Sequence, residues 1–227
     1  MSTYKELVYL CLDELKLNAD DALFTEEHII FLLSKYRGFL LKQRYSDIKK
    51  QIPESNYQTI CLDLIKETKE GSLCGDTYLR STEKLPFLMK IGNTSVFPVD
   101  YYRSTVTYIS RERMKYVGYN KYLQNIIYAS ISPDNYMYLK SSNPQFLYLK
   151  KIRVTGIFED PKAASELQCP DENGNTVCDI LDKTFPIEDA LIPPLVQLIV
   201  EELTKTEYKP EDKENNADDD LSDVVTK

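Results

Sequence analysis

The chain has no tryptophan, one histidine and seven glycines among its 227 residues. With one histidine, any His-based triad or metal site rests on His28, and a multi-histidine metal site cannot be assembled. Glu26 and Glu27 do not complete a ligand set with it, because adjacent helical residues point in different directions. His28 reads as a surface or interface residue. The sparse glycines form no G-x-G-x-x-G, P-loop or G-x-S-x-G pattern, so nucleotide-dependent and α/β-hydrolase chemistry lose their main signatures. The five cysteines, Cys11, Cys61, Cys74, Cys169 and Cys178, lack the short paired spacings of a zinc site. Asp171 to Asn175 lacks the spaced acids and closing Glu of an EF-hand and reads as an acidic turn. No apolar run approaches the roughly 18 residues that span a bilayer, so no membrane association is expected. Cations are also in deficit. Lys and Arg number 28 against 36 Asp and Glu, a net charge of −8. That argues against broad nucleic-acid binding as the main task. The sequence starts without an apolar signal region, which leads to the expectation of a reducing cytoplasm and five free thiols. Neither catalysis, metal nor cofactor is expected.

What the chain does have is tyrosine, 17 in all. Tyrosine suits both pleated surfaces and interfaces, where an apolar ring with a polar tip gives contact area at low entropy cost. The element pattern predicts α+β. Thr3 and Glu6 fit a capping box ahead of a helix with Tyr4, Leu7, Val8, Cys11, Leu12 and Leu15 at helical spacing. A second helix starts at Thr25, with Glu26 and Glu27 in its first turn. Its apolar stripe is Ile29, Leu32, Leu33, Tyr36, Phe39 and Leu40. From Tyr57 the period changes to that of strands, with Lys66 to Asp76 as a loop. Further strands are expected at 77–84, 105–109, 125–131 and 136–139. The last two flank a Pro133-Asp134-Asn135 turn. One long strand is expected from Phe146 to Phe158, bent near Lys150-Lys151 and Gly156. A short helix with Pro161 at its first position follows. The closing helix should start near Ile187, break at Pro193-Pro194 into two kinked pieces and end near Leu203. The organisation is an N-terminal helical part (1–52), a β-rich insertion (53–158), a C-terminal helical part (159–204) and an acidic tail (205–227). The helices of both chain ends would form one platform.

Two regions stand out as candidate interaction surfaces. Residues 35–50 carry Lys35, Arg37, Lys42, Arg44, Lys49 and Lys50 against a single Asp, interleaved with Tyr36, Phe39 and Tyr45. Three readings stay open: phosphate and base contacts with nucleic acid, the ordinary preference of a helix end for cations, or a dock for an acidic partner such as the tail of another copy. The second region is the C-terminal end. Leu195, Leu198 and Leu203 lie on a docking helix, and the tail from Lys205 holds eight acidic residues against four Lys. Such a composition does not build a core. It is either a solvated extension or an arm that orders on a neighbouring subunit, anchored by Leu221, Val224 and Val225.

Several segments carry a resemblance: Phe31 to Tyr45, Ile52 to Ile60, Arg113 to Lys121, Ser141 to Phe146 and Phe185 to Leu203. Together they resemble structural proteins of crAss-like bacteriophages of Bacteroides, over nearly the whole chain up to about Leu203. The resemblance implies a non-enzymatic virion protein, a ring subunit in the head–tail connector. It implies a homo-oligomeric ring, twelve-fold in most connectors of this kind, stacked against the portal or the next ring with DNA passing through its centre. Its place would be the virion's head–tail junction, after synthesis in the bacterial cytoplasm. An acidic wall would let DNA slide without sticking. The candidate interface residues are then Lys35, Arg37, Lys42, Arg44, Tyr45, Leu195, Leu198, Leu203, Leu221, Val224 and Val225. The alternative is a cytosolic phage accessory protein that binds nucleic acid through the 35–50 stretch.

Overall fold

The computed structural model describes residues 2–18, 24–46, 50–68, 77–99, 105–117, 119–170 and 177–206. The capping box forms as its spacing dictates. The Thr3 N–H donates to Glu6 Oε2 at 2.9 Å, and the Glu6 N–H donates to Thr3 Oγ1 at 3.2 Å. Helix α1 (Tyr4–Asn18) follows. Thr25 caps α2 (Glu26–Arg44), its hydroxyl accepting the His28 N–H at 3.4 Å. The prolines at 193 and 194 do not kink a helix. They lie in the first turn of α5 (Ile192–Thr206), which runs unbroken after a 3-10 turn at Asp189–Leu191. Backbone N–H groups there have no intrahelical partner to lose, so proline costs little.

Helices α1, α2 and α5 pack on one another around Leu7, Cys11, Ile29, Leu33, Leu195 and Ile199, all fully or almost fully buried. The N-terminal residues are stitched to the approach of α5. The Tyr4 N–H donates to the Lys183 carbonyl at 3.0 Å and the Phe185 N–H to that of Ser2 at 2.9 Å, and the Tyr4 and Phe185 rings meet edge to face at 4.9 Å. Both ends of the chain therefore build one helical unit, as the pattern predicts.

The middle of the chain forms a seven-stranded sheet: β1 (Gln58–Thr68), β2 (Thr77–Ser81), β3 (Ser95–Pro98), β4 (Thr105–Tyr108), β5 (Ile126–Ile131), β6 (Met137–Lys140) and β7 (Lys151–Gly156). The spatial order is β3-β7-β1-β2-β6-β5-β4. All neighbours are antiparallel except β4 and β5. The long β1 pairs with β7 through Gln58 to Asp63 and with β2 through Leu64 to Thr68. It thus runs further than the sequence suggests, into the expected 66–76 loop; residues 69–76 lie outside the described residues. Asn135, with φ of 64°, closes the β5–β6 hairpin where the turn signal placed it. Ile60, Leu62, Leu139, Ile152 and Val154 fill a second core, which α4 (Pro161–Glu166) covers with Ala164.

Two further expectations are corrected. The stretch from Phe146 is not strand throughout. Pro144–Tyr148 is a 3-10 helix, because the Asn143 side chain accepts the Gln145 N–H at 3.0 Å and Pro144 starts the turn. The thiols are not all free. Cys61 and Cys169 form a disulfide with Cα atoms 4.9 Å apart. Pairing of the segment after α4 onto β1, with the Cys61 N–H donating to the Leu167 carbonyl at 2.9 Å, brings the two together across 108 residues of sequence. Cys11 is buried and free, its thiol pushed up to about 12 by burial first and by Glu14 second. Cys178 is exposed.

Candidate interaction surfaces

Helix α2 divides its side chains between two faces. Ile29, Leu32, Leu33, Leu40 and Leu41 point into the helical core. The opposite stripe, at spacings of three and four, carries Glu27, Phe31, Ser34, Lys35, Gly38, Phe39 and Lys42. Phe31 is 63% exposed and Phe39 is 54% exposed. Phe39 therefore lies outside the buried stripe the spacing assigned to it. With Phe87, 64% exposed on the segment before β3, these rings border a groove of about 660 Å³. Gly38 leaves its floor open: a Cβ there would meet nothing within 4 Å. Large exposed rings gathered at one concavity mark an interaction surface more often than single exposed apolar side chains do. Two phenylalanines eight residues apart in a polar stripe were the available sequence signal.

The basic stretch looks different in three dimensions. Arg37 is fully buried. Its guanidinium donates to the Pro186 carbonyl at 2.6 Å, the Phe158 carbonyl at 2.8 Å and the Asn56 carbonyl at 3.0 Å. Burial lowers its pKa to about 10, partly offset by the neighbouring Tyr4. Lys35 pairs with Glu202 of α5 at 3.1 Å, and Lys42 with Glu159 at 3.3 Å. Arg44 reaches Glu188 at 3.1 Å, and the Tyr45 hydroxyl donates to the same carboxylate at 2.9 Å. Burial first, and that hydrogen bond second, raise the Tyr45 pKa. Lys50 donates to the Arg44 carbonyl at 3.1 Å; Lys49 is outside the described residues. One cation of the stretch is thus withdrawn from the surface, and three are paired with acids of the same chain. Leu195 and Leu203 are buried in the helical core and Leu198 is half-buried beside it. Leu221, Val224 and Val225 lie outside the described residues.

A second surface escaped the sequence reading. The segment after β4 holds α3 (Arg111–Met114) and a 3-10 turn at Lys121–Leu123. Tyr116, Tyr119 and Tyr122 are exposed there, at 82%, 59% and 85%, beside exposed Arg111, Arg113 and Lys115. Lys140 sits 3.8 Å from the Tyr119 ring centre, a cation–π contact that fixes the base of the loop. Its signal was an Arg/Lys/Tyr alternation within an acidic chain. Among the described residues, no three His, Cys, Asp or Glu side chains gather as a metal site.

Comparison with known proteins matches the chain to a family and to a curated relative. A family model described as phage tail ring protein 2 matches residues 6–221. A protein named Ring protein 2, from Bacteroides phage crAss001, is 61% identical over 224 residues, which cover 98% of this chain and 99% of that protein.

Proposed function

This chain belongs to the phage tail ring protein 2 family of crAss-like phages, and from that premise we propose that it is a ring subunit of the virion's head–tail connector. The observation that carries this reading is the extent of the match, which takes in the helical unit and the sheet alike. A ring needs a heterologous contact, in which one face of a copy meets a different face of the next and the rotation closes. The groove of Phe31, Phe39 and Phe87 supplies an apolar face for such a contact. We place twelve copies in the ring, stacked on the portal or an adjacent ring, with DNA passing through the centre. The net charge of −8 suits a channel that does not hold phosphates. The role is assembly, without catalysis. Among the described residues, no helix is long and apolar enough to cross a membrane.

Native mass spectrometry of the full-length chain tests this reading. A closed oligomer of twelve is expected. The double variant Phe31→Asp/Phe39→Asp should keep its circular dichroism and melting temperature yet remain monomeric. A double variant that assembles like the parent would remove the groove from the ring contact. A chain that stays monomeric at all concentrations while binding DNA in a salt-dependent way would replace the ring reading with the nucleic-acid one.

A further inference from the structure

We infer that the α2 groove is filled by the C-terminal segment of the neighbouring copy, with Leu221, Val224 and Val225 seated between Phe31, Phe39 and Phe87; the inference rests on the ring reading. The anchors occur at i, i+3 and i+4, the spacing with which one helical turn lays an apolar face into a groove. Asp218, Asp219 and Asp220 precede them, where a helix start favours acids. The groove offers what such a turn needs: exposed rings, an open floor at Gly38, and Lys162 on its border beside Lys35 and Lys42, which already pair with Glu202 and Glu159. Of the acids on the same border, Glu159 pairs with Lys42, Asp160 caps α4, and Glu27 stands at the first turn of α2.

The position of α5 brings the tail to the right place. Glu188, just before α5, pairs with Arg44 at the end of α2, whereas Glu202 pairs with Lys35 near its middle. Helix α5 thus runs back along α2 and ends at Thr206 beside the groove, with Lys35 shared between the ion pair and the groove border. Chain length then separates the chain's own groove from its neighbour's. Residues 207–220 form a spacer of fourteen residues, seven of them acidic. Like charges extend such a linker, and its reach is roughly 46–50 Å. A chain of 227 residues folds to a body about 45 Å across. The spacer is far longer than the chain's own groove requires and matches the step to the next subunit.

Disulfide trapping in the full-length chain tests the inference. Gly38→Cys and Val225→Cys are made separately and together in a Cys74→Ser/Cys178→Ser background, and oligomers are followed by native mass spectrometry. Gly38 has open space for the new side chain. Rings mixed from the two single variants should give a covalent dimer on a non-reducing gel, absent from either variant alone and from the background chain. The chain carrying both should give a ladder of covalent oligomers. Rings that form without the dimer would overturn the inference and leave the ring reading standing. So would a doubly substituted chain that closes its new disulfide at monomer mass, since the tail would then occupy its own groove. Loss of rings from the background chain itself would overturn the ring reading and this inference together.

Discussion

Arg37 shows how far a single residue can stand from its sequence reading. In the sequence it is one of six cations in a short stretch; in the fold it is the pin between the helical unit and the sheet. Its three carbonyl acceptors lie 19, 121 and 149 residues away along the chain. Local pattern cannot reveal partners at such separations, so nothing distinguished Arg37 from Lys35 or Lys42. The guanidinium fork suits this joint because it presents several donors in one plane. Replacing Arg37 by Met would leave three inward-facing carbonyls unpaired, at about 1–3 kcal/mol each. Arg37→Lys should recover only part of that, since an ammonium group cannot span three divergent acceptors. Urea denaturation measures both. A loss below about 1 kcal/mol for Arg37→Met would mean that water replaces the missing donors, and the joint would not depend on this residue.

At the scale of elements, what the sequence reveals are local rules. The Thr3–Glu6 capping box, the Thr25 cap, the Pro133–Asn135 turn and the Asp160-Pro161 helix start all appear in the structure, because each is decided within four residues. The failures have local causes that compete with a periodic signal. Asn143-Pro144 starts a 3-10 helix although the apolar alternation from Phe146 favours a strand. Pro193-Pro194 interrupts an apolar run without interrupting a helix, because α5 restarts at Ile192. The sign of one substitution separates these readings. Pro193 is exposed, so Pro193→Ala removes no packing. If it occupied a helix interior, its replacement would stabilise the chain by up to about 3 kcal/mol. In a first turn the same change should destabilise by about 0.4–1 kcal/mol, through a more flexible unfolded chain. Thermal melting of the variant decides; a raised melting temperature would contradict the fold as described.

For the whole molecule, the helix–sheet–helix order was legible because segregated periods of 3.6 and 2 dictate an α+β arrangement. The sharing of one core by both chain ends also followed from that order. Strand order, the parallel β4–β5 pair and the Cys61–Cys169 disulfide did not, since each depends on contacts between distant segments. The candidate surfaces were half legible. The sequence pointed to α2 and the C-terminal end, naming the cations and Tyr45 of the one and the apolar residues of the other; the fold pairs several of those cations internally, buries Leu195 and Leu203, and leaves Phe31, Phe39 and Phe87 exposed. Exposure is a property of the assembled molecule, and an apolar stripe can be told from a core stripe only when the other side of the helix is known. Whether the chain is a connector-ring subunit is read from quantitative mass spectrometry of purified, DNA-filled particles of the source phage, with this chain counted against the portal protein. A ratio near one to one is the predicted result. Absence of the chain from the particles would contradict the account.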